Sequence, residues 1–197
     1  MKAPLLAGLA LFSFLLCSAY AEDRVKVVAD FDTDPPNNLG GNFGAFSPVE
    51  TEQVYICRGA ADESVRHGNA GASLRLDYNV SKGGSYNGFW IKLGPADSGN
   101  NFDATHYTKL VFWIKGDDKS GIPNKIKIEL KGDPGTASGK KYFGDITEKW
   151  KKVELPLNDF GKISASKLNE IVFVFEQRTV GAQTTGAVFI DDLAFER

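Results

Sequence analysis

Two cysteines, two histidines and one methionine in 197 residues leave little material for thiol, imidazole or metal chemistry. Two cysteines cannot build a disulfide framework or a cysteine-held zinc site. No charge dominates either: 23 Lys and Arg stand against 25 Asp and Glu, a formal net charge of −2. With no basic surplus to neutralise phosphates, neither nucleic acid nor an anionic membrane surface fits as the main partner. The chain contains no Gly-x-Ser-x-Gly elbow and no Gly-x-x-x-x-Gly-Lys phosphate loop. His67 and His106 sit in polar turns outside any metal-ligand motif. Paired carboxylates can run a glycosidase, but spacing alone does not show which pairs face each other. The expectation is a protein that is not an enzyme.

Long apolar runs are equally scarce. Only Leu5 to Cys17 qualifies, preceded by Lys2 and followed by Ala19-Tyr20-Ala21. That pattern predicts an export leader over residues 1–21, cleaved after Ala21, because a spanning helix needs about 20 apolar residues. A lipid on Cys17 would want a small residue before it, and Leu16 stands there. The expected mature chain, residues 22–197, is a single exported domain without membrane insertion. It holds one thiol, Cys57, which reads as a small buried hydrophobe beside Val54-Tyr55-Ile56.

What is abundant is period-two alternation, the mark of strands with one buried face. In Lys125 to Lys131, Ile126, Ile128 and Leu130 oppose Lys125, Lys127, Glu129 and Lys131. Residues 24–31, 43–46, 53–57, 72–78, 88–93, 108–115, 151–157, 170–177 and 187–196 read as further strands. Gly-, Pro-, Asn- and Asp-rich joints separate them, such as Asp34-Pro35-Pro36, Lys82-Gly83-Gly84 and Gly132-Asp133-Pro134-Gly135. The one helical candidate is Ser164 to Leu168. Ten short strands with almost no helix predict an all-β sandwich or barrel.

Two acidic clusters stand out, Asp30-Phe31-Asp32 and Asp191-Asp192. Asp191 interrupts an apolar strand, where a lone buried carboxylate is costly. Either a hard cation such as Ca²⁺ offsets that cost, or Asp191 accepts backbone hydrogen bonds while Asp192 faces solvent.

Four stretches together resemble the galactose-binding-like β-sandwich superfamily, a jelly roll. They are Val28-Ala29-Asp30-Phe31-Asp32 with Asn37 to Gly41, then Tyr107 to Asp117 around Phe112-Trp113, then Trp150 to Phe160, and finally Ile190 to Phe195. The likeness is to carbohydrate-binding modules of the family 11 type and, more distantly, to complex I intermediate-associated proteins. It implies a structural calcium, with Asp30, Asp32 and Asp191 as ligands, although many relatives carry Glu where this chain has Asp32. It also implies a polysaccharide partner. Sugar rings stack on flat aromatics while their hydroxyls need polar partners in a groove. Trp90 and Trp113 fall on strand faces that also carry lysines. Lys127, Glu129, Glu176 and Arg178 are expected on the same groove, with Tyr86, Asn87 and Tyr142 extending it from adjoining loops. Trp150 is expected to pack. The competing expectation is a protein-interaction or assembly factor on the same fold, with no glycan ligand.

Overall fold

The structure, a computed structural model, describes residues 24–48, 55–132 and 138–197. The expected leader lies outside the described residues, as do Gln53 and Val54 of one expected strand and Asp133-Pro134-Gly135 of one expected turn.

The described residues form eleven strands: β1 (Val25–Ala29), β2 (Phe43–Phe46), β3 (Cys57–Asp62), β4 (Ser73–Asn79), β5 (Tyr86–Lys92) and β6 (Lys109–Gly116), then β7 (Lys125–Gly132), β8 (Gly139–Gly144), β9 (Lys151–Pro156), β10 (Leu168–Glu176) and β11 (Thr185–Glu196). They pair antiparallel into two sheets. The six-stranded sheet runs β3-β4-β11-β6-β9, with β1 also on β11; the five-stranded sheet runs β2-β5-β10-β7-β8. The fold is a β-sandwich, as the alternation predicts.

Alternating residues from both sheets meet between them. Leu74, Leu76, Phe112, Ile114, Val188 and Ile190 come from one sheet; Phe89, Ile91, Ile126, Ile128, Phe173 and Phe175 come from the other. Phe112 meets Phe173 edge-on at 5.3 Å, and Tyr78 stacks on Phe175 at 4.4 Å. These aromatic pairs contribute about 0.5–1.5 kcal/mol each beyond their buried area.

Three expectations need correction. The strand placed over residues 53–57 begins instead at Cys57 and runs through Gly59-Ala60-Ala61 to Asp62. Poor β formers are tolerated there because a full register with β4 holds them, and Gly59 leaves room for the Phe89 ring. Strand β8, Gly139-Lys140-Lys141-Tyr142-Phe143-Gly144, was not expected, since it shows little apolar alternation and forms by pairing with β7. The expected helix at Ser164 to Leu168 shrinks to a 3-10 turn over Ala165–Lys167.

β11 organises its sheet. β6 follows it along one side, while β4 covers its first half and β1 its second half on the other. The register slips between Asp191 and Ala194, and Asp192 takes a left-handed φ of 49°. Such a bulge re-aims side chains; here it sits where β4 hands over to β1.

Candidate functional site

The outer face of the five-stranded sheet is built by strand parity. Two rows cross it. One runs Phe46, Gly88, Val174, Lys127, Tyr142; the next runs Gly44, Trp90, Val172, Glu129, Lys140. Val172 and Val174 form a flat floor, buried under the long side chains of their neighbours. Trp90 stands half-buried on β5. Its indole lies over Gly44, where an added Cβ would strike the ring at 2.9 Å. Lys92 Nζ sits 5.9 Å from the indole centroid. Four residues along β5, about 13 Å by strand rise, Tyr86 is 46% exposed.

A chain of ion pairs runs down the centre of this face. Glu170 bridges Lys92 and Lys131, the latter at 2.8 Å. Lys127 bridges Glu129 at 2.8 Å and Glu176 at 2.7 Å. Glu176 also accepts from Tyr142 Oη at 3.0 Å and Arg178 Nε at 3.2 Å, and Arg178 Nη2 donates to Tyr142 Oη at 3.2 Å. Burial by itself would raise the Glu170 and Glu176 carboxyls. Hydrogen bonds from Lys131 and Lys92, and from Lys127, Arg178 and Tyr142, outweigh burial and hold both below the usual carboxylate range. Burial likewise disfavours the Lys127 charge, and Glu129 with Glu176 reverses that, so its pKa is raised. Aromatic platforms beside polar groups whose rotamers are fixed make a groove that can stack sugar rings and bind hydroxyls without reorganising.

Trp90, Lys127, Glu129, Glu176, Arg178 and Tyr86 therefore share one face. Trp113 does not. It pairs with Asp191 on the six-stranded sheet and is covered by His67, whose ring stacks on it at 3.8 Å. Parity puts both tryptophans on outward faces but cannot say which sheet each belongs to. Trp150 packs edge-on against the same His67 at 5.9 Å. Asn87 lies buried rather than in a loop, its Nδ2 donating to Asn79 O at 2.8 Å. Tyr142 reaches the groove from β8, not from a loop. Glu170 was missed by sequence reasoning, though its parity with Val172 and Glu176 was a usable signal.

The three acidic residues expected to hold calcium separate into two groups. Asp30 turns into its own loop, accepting from Asn38 Nδ2 at 2.7 Å and from the Asp32 amide at 3.2 Å. Asp32 accepts from the Ala72 amide at 2.8 Å. Asp191 accepts from the amides of His67 and Asp192, both at 2.9 Å, and His67 Nδ1 lies 2.7 Å from Asp192 Oδ2. Burial pushes the Asp191 carboxyl up to about 6, and the charges of Asp192 and Asp32 add to that. Among the described residues, no three His, Cys, Asp or Glu side chains converge as a metal-ligand group. The Asp32 charge bears on Asp191, whereas Asp30 turns away into its own loop.

Fold and face together are those of an antiparallel β-sandwich with an aromatic and charged outer sheet face. The sequence profile of carbohydrate binding domain 30 matches residues 40–197, and the chain belongs to that family. Solved structures share the fold. A family 11 module from Clostridium thermocellum in complex with a β-1,3-1,4-mixed-linked tetrasaccharide is 17% identical, with a TM-score of 0.61 over 88% of this chain and 95% of that one. A family 30 module is 18% identical, with a TM-score of 0.54 over 70% of this chain and 73% of that one. A family 29 module is 10% identical, with a TM-score of 0.52 over 87% and 86%. No curated protein matches the chain.

Proposed function

We propose that this protein is an exported, non-catalytic module that binds polysaccharide on the outer face of its five-stranded sheet. The observation that carries the reading is Trp90 standing beside the fixed Lys92–Glu170–Lys131 and Lys127–Glu176–Arg178 pairs, on the outer sheet face above the Val172 and Val174 floor. Stacking on Trp90 supplies most of the affinity, and the charged groups orient the ring hydroxyls. Glu176 and Lys127, each nearly filled by partners, hold Arg178 and Tyr142 in place more than they touch ligand. A structural calcium at Asp32 and Asp191 completes the proposal; the family likeness and the crowding of those carboxylates support it.

Affinity gel electrophoresis against soluble β-glucans, xylans, mannans and pectins tests the glycan reading. One polysaccharide should retard residues 22–197, and Trp90→Ala should weaken that at least tenfold, in line with the loss of a central aromatic contact. Trp113→Ala should leave it unchanged. A folded protein retarded by nothing in the panel would move the reading to a protein-interaction module.

A further inference from the structure

The near-even charge of the whole chain hides a local excess. Across the outer face of the five-stranded sheet lie six cations, Lys92, Lys125, Lys127, Lys131, Lys140 and Arg178, against three carboxylates, Glu129, Glu170 and Glu176. The face is thus +3 on a chain of formal net charge −2. Depth sorts the two signs. The side chains of Glu129, Glu170 and Glu176 are 24%, 11% and 10% exposed, whereas Lys131 is 42% and Arg178 71% exposed. Lys125 and Lys140 are exposed as well.

Each carboxylate is already met by two cations: Lys92 and Lys131 on Glu170, Lys127 and Arg178 on Glu176, and Lys127 with the more distant Lys131 on Glu129. Some positive charge is left over. Lys125 and Lys140 form no ion pair among the described residues, and Arg178 uses Nε and Nη2 on Glu176 and Tyr142, leaving Nη1 unbonded. A ligand laid on this face therefore meets ammonium and guanidinium groups before any carboxylate. Those groups only donate, while a neutral sugar hydroxyl also needs acceptors. The leftover charge has a place. Trp90 and Lys140 lie on one row across the sheet, three strand spacings or about 14 Å apart. Tyr142, which Arg178 contacts, is two residues along β8 from Lys140, about 7 Å by strand rise. Stacking surface stands on the β5 side and unpaired cations on the β8 side.

We propose that the polysaccharide this face takes is acidic, a chain bearing carboxylate or sulfate groups that stacks on Trp90 and sets its anions against Lys140 and Arg178. The proposal rests on the glycan reading and gives it a substrate class and two specificity-determining residues. A nucleic acid fits less well, because its affinity comes from neutralising phosphates at many points, and Lys92, Lys127 and Lys131 are already paired.

The test sets charged polymers against uncharged forms of the same backbone in affinity gels with residues 22–197: polygalacturonate against its methyl ester, and a sulfated galactan against its desulfated form. One acidic member should bind about tenfold more tightly than its uncharged form, as two or three exposed ion pairs allow. Which of the two it is tells carboxylate from sulfate. Raising NaCl from about 0.05 to 0.5 M should weaken that binding, because exposed charges are screened. Lys140→Gln and Arg178→Gln should each lower affinity about two- to fivefold, and Lys140→Gln should keep the wild-type Tm, having no partner to lose. Equal retardation by charged and uncharged forms, or a neutral polysaccharide bound as well by Lys140→Gln as by wild type, would overturn the acidic ligand and leave the groove intact. A single-stranded DNA that retards the protein as strongly as the acidic polysaccharide would overturn it too, since any polyanion would then serve. A folded wild type retarded by no polysaccharide, charged or neutral, would overturn both the acidic ligand and the glycan reading.

Discussion

Cys57 shows how one residue's environment decides its chemistry. It sits at the start of β3, buried between the sheets, and burial pushes its thiol up to about 12, with the Asp77 charge adding to the effect. Only the thiolate is nucleophilic, so at pH 8 the native protein holds almost none. A thiol reagent such as DTNB should therefore leave Cys57 unmodified in the native state and label it once urea unfolds the chain. Rapid stoichiometric labelling of the folded protein would show that the site opens. The sequence made the buried, inert character of this thiol legible, because a lone cysteine beside Val54-Tyr55-Ile56 has no activating neighbour. It did not reveal that Trp90 and Trp113 would part company: both alternate with lysines, and the difference lies in which strands they pair with, a property of the whole chain.

At the scale of the element, β10 is the strand on which the face depends. Ile171, Phe173 and Phe175 fill the core while Glu170, Val172, Val174 and Glu176 form the centre of the outer face, so the strand reads as an unbroken apolar run closed by acids. Its alternation was legible because the acids mark the wet parity. The neighbours were not, and β8 escaped because Lys140, Lys141 and two glycines hide its period. Glu170 is the element's sensitive point. Its folded pKa is depressed, since the hydrogen bonds from Lys131 and Lys92 outweigh burial. The unfolded value is about 4.3. The stabilisation from its ion pairs is thus fully present above that pH and is lost as pH falls through the lower, folded value. Glu170→Gln should cost about 1–3 kcal/mol at pH 7 by leaving two half-buried lysines poorly paired. The urea midpoint of the variant should fall less steeply below pH 4.3 than that of wild type. Parallel acid limbs in the two proteins would remove Glu170 from the account.

For the whole molecule, the two faces of the sandwich do different work. The five-stranded sheet presents open aromatics and fixed charges. The six-stranded sheet carries, at the β11 bulge, a junction where the loop after β1, the loop between β3 and β4, and the last strand meet through Asp32, His67 and Asp191. The charges of Asp192 and Asp32 both bear on Asp191 there, and a calcium ion held by Asp32 and Asp191, as proposed above, would tie both ends of the described chain to its middle. Binding to the native state alone stabilises it by mass action, about 2.7 kcal/mol at a hundredfold excess over Kd. For a domain of this size that corresponds to a rise in Tm of roughly 5–11 °C. Residues 22–197 stripped with EDTA should therefore melt several degrees lower than with millimolar CaCl₂, and Asp191→Asn should abolish the difference. Magnesium should not substitute, because it demands a tighter, near-ideal octahedral shell than two carboxylates supply. Identical melting in EDTA and CaCl₂ would mean that backbone amides alone satisfy Asp191, as the His67 and Asp192 hydrogen bonds already allow, and that the junction is held without metal.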